Sequence, residues 1–493
     1  MKASESATSG SPLSPAPSRL TVYLLGSTLV AALGGLLFGF DTAVISGTTD
    51  NLKVVFGLQS PWLGLSGEFW LGFTVASALI GTIVGSIAVG RPTDSLGRRT
   101  VLIAIAVLYF VSALGSALAW QWASFVAFRF IGGLAIGGAS VVSPMYIAEI
   151  APARYRGRLV AITQFNVVAG ILLAFFSNYL IARLNLGVNE WRWMFGVVAI
   201  PSAAFFGLLF LTPNSPRWLV ARGRVDEAGG VFRRLGVDDV ASEIGEIQAS
   251  LDMSHHSLRE PLFRKEFVRP ILLAVAIAAF NQLSGINALM YYAPAIFKMA
   301  GADKSTALLQ AVAVGGTNLL FTMAALLIID HFGRRRLMLV GSIGYILSLG
   351  STAWAFYTYG DAFAAVVKAT DAGTPIPAAA TAAASTGSIV VLVGLLVFIA
   401  SHAFGQGAVI WVFISEIFPN RVRARGQALG SFTHWFMAAL ISWTFPVIAA
   451  RSGGHAFAFY TAMMVLQLVW VLLVMPETKG VSLEQIQRRL GIR

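Results

Sequence analysis

Twelve stretches of about 20 mainly apolar residues, the length an α-helix needs to cross a bilayer, alternate along the chain with short polar segments. They run near 22–46, 69–90, 100–119, 122–148, 159–182, 193–212, 269–297, 307–329, 337–358, 388–415, 427–450 and 456–475. The pattern predicts an all-α polytopic membrane protein of 12 transmembrane helices. The longest polar break, residues 214–267, falls between spans six and seven and predicts a linker of short amphipathic helices. It divides the chain into a six-helix bundle over 20–213 and another over 268–476, flanked by a disordered tail, 1–19, and a second tail, 477–493. An Ala/Thr-rich stretch, 362–386, reads as an outward-facing loop between spans nine and ten.

Composition agrees with a membrane setting. Hydrophobic residues make up 56% and charged residues 12% of the chain, with a mean hydropathy of +0.74, against about 25% charged residues in an average soluble domain. The net charge of +12 could suggest nucleic acid, but its placement argues for topology. Of 35 Lys and Arg, 27 fall on one alternating set of segments, namely the N-terminal tail, 91–99, 154–158, 217–269, 334–336, 421–425 and the C-terminal tail. Lys53, Arg183, Arg192, Lys298, Lys304, Lys368 and Arg451 fall on the other set. Positive residues mark cytoplasmic loops, so both termini are expected in the cytoplasm and no nucleic-acid partner is expected. The first span lacks an obvious small-residue cleavage site and is expected to be retained. Cysteine is absent, which excludes disulfides and thiolate metal ligands. No Gly-rich phosphate loop, Cys/His cluster or nucleophile with an evident base appears, so neither an enzyme nor a bound metal or cofactor is expected. His331, His255 and His256 lie in polar loops, where solvated residues are the ordinary case.

The informative positions are the polar intrusions. Asn281-Gln282-Leu283-Ser284-Gly285-Ile286-Asn287 sits inside an apolar stretch of spanning length. Carboxamides cost free energy when left unpaired in hydrocarbon and should face a polar cavity, where neutral groups that donate and accept suit a neutral, hydroxyl-rich ligand. Gln282 and Asn287 are five residues apart, some 140° round an ideal helix, so one cavity can receive both only if the helix unwinds locally. Gly285 allows that, as the broken helices of transporters do. The alternative for any single amide is a helix-to-helix hydrogen bond. Asp41 and Arg129 are the ionisable counterparts, each inside an apolar span and each the natural partner of the other.

Two cytoplasmic motifs recur. Gly90-Arg91-Pro92-Thr93-Asp94-Ser95-Leu96-Gly97-Arg98-Arg99 is echoed by Asp330-His331-Phe332-Gly333-Arg334-Arg335, and the run from Glu149 through Arg154 to Arg156 by the run from Glu416 through Arg421 to Arg423. Two halves in the same orientation, related by an axis along the membrane normal, follow.

With Arg129-Phe-Ile-Gly-Gly, Pro144 to Glu149, Pro213-Asn-Ser-Pro-Arg217 and Pro476-Glu-Thr-Lys-Gly480, these motifs form an ordered set. On them the chain, from about residue 20 to 485, resembles the sugar porter family of the major facilitator superfamily. The resemblance implies the major facilitator fold and transport of a monosaccharide, a hexose or a pentose, by alternating access. Position by position it implies substrate contacts at Gln164, Asn281, Gln282, Asn287, Asn318, Trp411, His434 and Trp435; Phe38 and Tyr291 complete the candidate set. Amides bridge adjacent hydroxyls, and an indole offers a flat face and an N–H donor. Asp41 and Arg129 match the pair of proton-coupled members. Arg129 favours the carboxylate and desolvation favours the acid, so a proton could be taken up on one side and released on the other. The alternative is a permanently ionised structural pair. Asp94, Arg98, Glu149, Arg156, Asp330, Arg334, Glu416 and Arg423 are the candidate cytoplasmic gate, closing the halves by pairs between neighbouring helices; as exposed pairs they would contribute little.

Three positions depart from the family pattern. Asn281 replaces a Gln, His434 stands where many members have Gln or Asn, and Asn214 replaces a Glu in the Pro-Glu-Ser-Pro-Arg motif. Proton-coupled symport of a monosaccharide is the expectation, by a monomer in the lipid bilayer of a bacterial inner membrane, with protons and the sugar as its partners. A facilitative sugar or polyol uniporter and a non-transporting sugar receptor are the alternatives. His402, a lone histidine nine residues before Trp411, reads as structural, with reach into the cavity as the alternative.

Overall fold

Helix starts are set by side chains that take up otherwise unpaired N–H groups. Thr21 Oγ1 accepts from the Leu24 amide at 3.1 Å, Ser66 Oγ from that of Phe69 at 3.3 Å, and the Asp303 carboxylate from Ser305 and Thr306 at 3.0 and 3.4 Å. The computed structural model describes residues 20–257, 261–419, 421–481 and 483–492, with the side chains of 252–257, 330, 483 and 484 outside that description. The expected disordered tail over 1–19, the side chain of Asp330, and those of His255 and His256 therefore lie outside the described residues.

Among the described residues twelve helices are long and apolar enough to cross a membrane: Val22–Gly47, Gly67–Ala88, Arg98–Ala117, Trp122–Ile150, Arg156–Ala182, Gly187–Leu209, Lys265–Met299, Lys304–Ile329, Arg334–Ala372, Ala378–Ile417, Arg423–Ala449 and Gly453–Leu473. They are spans one to twelve. Span one packs along span five and span two along span four, while span nine packs along spans ten and twelve. The halves meet along two seams, span two against span eleven and span five against span eight. Between spans six and seven the helices Pro216–Ala221, Val225–Leu235 and Val240–Ser257 pack on one another. They dock on the first half, where Tyr146 Oη donates to Pro213 O at 2.6 Å and Trp218 Nε1 to Asp94 O at 3.0 Å.

One expectation is corrected. Residues 362–386 do not form a loop: span nine runs on to Ala372 and span ten starts at Ala378. Alanine has the highest helix propensity, and this stretch holds no breaker until Gly373, which closes the helix at φ 63°, followed by Pro375 and Pro377. Two long helices thus project beyond the span length and turn over five residues.

Three spans are interrupted at mid-length: span six between the helices Glu190–Gly196 and Ala199–Leu209, and spans seven and ten beside candidate site residues. Span seven breaks between the helices Val268–Leu283 and Ile286–Met299, with Gly285 in the left-handed region at φ 84°. Span ten carries a π-helical turn, Ala403–Gly407, between helices Ala378–His402 and Ala408–Ile417. Such turns insert an extra residue and are common at functional sites.

Candidate functional site

The break at Gly285 turns Asn287 back onto Gln282. Asn287 Nδ2 donates to Gln282 Oε1 at 2.7 Å, although an unbroken helix would separate the two side chains. Gln282 Nε2 donates to Asn281 Oδ1 at 2.8 Å and lies 3.2 Å from His434 Nδ1 and 3.3 Å from its Nε2. His434 in turn sits between two indoles, with ring centroids 5.1 Å from Trp411 and 4.8 Å from Trp435, and Trp435 meets Phe38 edge-on at 5.6 Å. Seven candidates, Phe38, Asn281, Gln282, Asn287, Trp411, His434 and Trp435, therefore form one connected group drawn from spans one, seven, ten and eleven. Its buried side is Asn281 and Gln282, at 2% and 1% exposure; its open side is Asn287, His434 and Trp411, the last 40% exposed.

Three candidates stand apart from this group. Gln164 on span five is exposed. Asn318 on span eight is buried and accepts from Thr322 Oγ1 at 3.3 Å. Tyr291 is buried beside span one, within reach of Thr42 and in the field of Asp41 and Arg129. His402 donates to or accepts from Tyr345 Oη at 2.7 Å, a helix-to-helix contact between spans nine and ten.

One turn along span one from Phe38, Asp41 Oδ1 meets Arg129 Nη1 at 2.7 Å, and Arg129 Nη2 lies 3.4 Å from the Asp41 carbonyl. Both residues are buried, with Arg129 at 0% exposure. Room for the pair comes from Gly132, whose added Cβ would collide with Ser112 Oγ and lie 3.8 Å from Asp41 Oδ2. The guanidinium also lies 5.4 Å from the Phe195 ring centroid. Asp41 Oδ2 and Arg129 Nε have no hydrogen-bond partner among the described residues. A carboxylate with one oxygen held and the other bare is a place where a proton can be added without breaking the pair.

At the end carrying the basic loops, the candidate gate residues form two matching networks, one in each half. Arg98 Nε contacts Glu149 at 2.9 and 3.1 Å and Arg98 Nη1 meets Asp94 at 3.4 Å, while Ser215 Oγ donates to Glu149 at 2.5 Å. Arg334 Nη2 meets Glu416 at 2.9 Å, and Thr478 Oγ1 donates to Glu416 at 2.6 Å. Arg99 and Arg335 cap the last carbonyls of spans six and twelve, at Leu209 and Phe210 and at Val471 and Leu472. Arg156 is exposed and acts on Glu243 of the linker, and Arg423 Nε donates to Phe418 O at 3.3 Å; neither pairs with the glutamate seven residues before it. Burial pushes the Glu243 carboxyl up, assisted by Glu246 and opposed by Arg156.

The ion pairs that join the two halves lie at the opposite end. Lys298 meets Asp50 at 2.6 Å, and Lys304 Nζ lies 2.8 Å from both oxygens of Glu190. Reading the sequence treated these lysines only as topological charges. It also passed over two fully buried amides behind the site, Gln406 in the π-helical turn and Gln467 on span twelve, which hydrogen bond to each other. Their signal was available, since a lone amide in an apolar span needs a polar partner, but the partner itself is 61 residues away.

The model of the family described as "Sugar (and other) transporter" matches residues 27–490. The D-xylose-proton symporter of Escherichia coli K12 is 38% identical over 495 residues, covering 94% of this chain and 95% of that protein. The chain belongs to the sugar transporter family. It is a multi-pass membrane transporter of the major facilitator fold and not an enzyme. The glucose transport protein of Synechocystis sp. PCC 6803 is 35% identical, with 96% of this chain and 99% of that protein covered. Among solved structures, the inward open conformation of the xylose transporter XylE from E. coli superposes with a TM-score of 0.80 at 36% identity, covering 95% of this chain and all of that one.

Proposed function

We propose that this protein is a proton-coupled symporter that carries a monosaccharide, a pentose or a hexose, across a bacterial inner membrane by alternating access. The observation that carries the reading is the buried Asp41–Arg129 pair with its bare carboxylate oxygen, one helical turn from the Phe38–Trp435 contact at the amide cluster. A proton and a sugar would then act on the same span. Asn281, Gln282, Asn287 and His434 supply donors and acceptors for hydroxyls, while Trp411, Trp435 and Phe38 supply apolar faces for ring C–H groups. Gln164, Asn318 and Tyr291 would join the site as the halves close on the sugar.

The basic end is taken as cytoplasmic, with both termini there, and the protein as a monomer in the bilayer. Ion pairs between the halves at the far end, with separate networks in each half at the basic end, support an inward-open state, in keeping with the superposition on inward open XylE. On outward opening the Lys304–Glu190 and Lys298–Asp50 pairs part and the networks of Arg98 and Arg334 come together as the cytoplasmic gate.

The test is uptake of D-xylose and D-glucose into proteoliposomes with and without an imposed inward proton gradient. Gradient-driven accumulation that collapses with a protonophore is expected. In Asp41→Asn accumulation should be lost while exchange of labelled for unlabelled sugar persists. Equilibration indifferent to the gradient would make the protein a uniporter and the pair structural; sugar binding without flux would make it a receptor.

A further inference from the structure

Behind the sugar site the amides form a directed chain that ends on backbone. Asn287 donates to Gln282 at 2.7 Å, Gln282 to Asn281 at 2.8 Å, Asn281 to Gln406 at 3.5 Å, and Gln406 to Gln467. Gln467 Nε2 donates to Ser342 Oγ at 2.8 Å, and Ser342 donates to the Met338 carbonyl at 2.7 Å. Asn281, Gln282, Gln406, Gln467 and Ser342 are all at 2% exposure or less, so no solvent competes for these groups.

The direction of this chain follows from its last member. In the structure the single Ser342 proton goes to the Met338 carbonyl, a group that can only accept, and Ser342 offers Gln467 a lone pair. Gln467 must then turn its NH2 to Ser342 and its carbonyl to Gln406, and each amide imposes the same sense on the next. An amide has one donor end and one acceptor end, so the chain reverses only if all five amides turn together, and bonds in such a chain polarise one another. At the open end two consequences reach the substrate. Asn287, having given its NH2 to Gln282, presents a carbonyl oxygen that receives no hydrogen bond among the described residues. The other Gln282 N–H faces the His434 ring, with Nδ1 at 3.2 Å and Nε2 at 3.3 Å; the nitrogen that takes this N–H must accept, and the single ring proton of the neutral imidazole then sits on the other.

We propose that Ser342, Gln467 and Gln406 are positioning residues that set sugar selectivity by fixing the polarity of the site: Asn287 as an acceptor and His434 as a donor. The inference rests on the sugar-binding reading of the amide cluster. Among the described residues Ser342 hydrogen bonds only to Met338 and Gln467 and to no cluster member, so its influence on the site's polarity passes along the chain. The polarity selects a sugar whose hydroxyl donates to Asn287 and whose neighbouring oxygen accepts from His434. At the Asn287 position, a fluorine in place of that hydroxyl cannot donate and should be no better than hydrogen.

The test uses the full-length protein in detergent, with nitrogen-15 spectra of its histidines at neutral pH and competition of D-xylose binding by its monodeoxy and monodeoxyfluoro analogues. Wild type should show a single His434 tautomer, assigned by loss of its signals in His434→Gln. At one hydroxyl position the deoxy and fluoro analogues should be equally poor. Ser342→Ala and Gln467→Met free the chain to reverse; they should give a second or switched tautomer, and the fluoro analogue should gain about five- to tenfold over the deoxy one. Ser342→Thr, which keeps the hydroxyl, should restore the wild-type pattern. Folded Ser342→Ala and Gln467→Met proteins with an unchanged tautomer and unchanged analogue ranking would overturn the inference. Wild type that binds neither D-xylose nor D-glucose would overturn the sugar reading instead, and the tautomer result would still judge the chain.

Discussion

Among the described residues, Lys304 is the one cation that spans the halves to a buried acid, and replacing it with Ala removes that contact. Glu190 is 2% exposed and Lys304 Nζ lies 2.8 Å from both its oxygens, one of which has no other partner. A hydrogen bond to a charged group contributes about 1.5–3 kcal/mol; because the Lys304 side chain is 50% exposed, the lower part of that range applies, about 1.5–2 kcal/mol. At 1.36 kcal/mol per decade this shifts the balance toward the form open at this end by roughly 10- to 30-fold. Lys298 and Asp50 are 39% and 52% exposed, and an exposed pair is worth about 0–1 kcal/mol, so Lys298→Ala should shift the balance by less than about fivefold. The native chain contains no cysteine, which makes double labelling direct. Spin labels on cysteines at Val188 and Ser305, both exposed and on opposite sides of the Glu190–Lys304 seam, report the opening as a distance distribution. The long-distance population should grow in Lys304→Ala and hardly change in Lys298→Ala. Overlaid distributions for wild type and Lys304→Ala, or equal shifts in the two variants, would refute burial of Glu190 as the source of the seal.

Gln282→Ala removes the amide that Asn281, Asn287 and His434 share; saturable D-xylose uptake should vanish while thermal unfolding stays cooperative, and normal uptake would remove span seven from the site. Asn214→Glu supplies the first half with the carboxylate that Glu477 gives the second, where it accepts from the amides of Arg334 and Arg335 at 2.9 and 3.1 Å; the Arg98 helix has no such side-chain cap, so a gain of about 0.5–1 kcal/mol should appear as a higher melting temperature. Asp303→Ala removes the cap of span eight and should cost about 1 kcal/mol near neutral pH. The Thr306 hydroxyl and the amides of Thr306 and Ser305 hold the Asp303 carboxyl below its ordinary range, so its contribution is full above about pH 4 and is lost as the pH falls through the lowered value; melting curves of wild type and variant should converge in acid and stay apart at neutral pH.

Much of the fold was legible because a bilayer allows few solutions: a spanning helix needs a certain length, and its backbone must be satisfied internally. The same constraint made Gly285 readable as a break, since three amides in hydrocarbon could share a cavity only across one. The stretch 362–386 was misread as a loop because a weakly apolar Ala/Thr run looks like one by hydropathy although its propensity is helical, and only 373–377 form the connection. Partners were harder still. Gln406 and Gln467 stand singly in spans ten and twelve, and nothing local says that an inserted π-helical residue turns one toward the other. Lys304 and Glu190 belong to different halves, 114 residues apart, and whether they meet depends on the conformational state as well as on the fold. Resemblance named the candidate sugar contacts, and coordinates were needed to see which of them meet and what lies behind them.

The polar contacts divide by what a transport cycle must break. Within each half the glutamate near the basic end is bonded by an arginine and by a hydroxyl from the segment that leaves the bundle, Ser215 in one half and Thr478 in the other. A neighbouring arginine ties that same exit to the bundle through carbonyls of spans six and twelve. The Arg98 and Arg334 side chains are only 12% and 11% exposed, so removing one partner would strand a largely desolvated charge, a large penalty. Between the halves the two lysine pairs use partly exposed ammonium groups, and water can replace the carboxylates as they separate. Contacts of desolvated arginines thus fall where a half moves as one body, and contacts of lysines that water can reach fall where the bodies part, which suits rigid-body alternation about a central site. Asp41 and Arg129 follow the first pattern, since both lie in the first half and their pair can persist through the motion. Coupling would then act through whether the bare Asp41 oxygen carries a proton when Phe38 and Trp435, on opposite halves, come together or part.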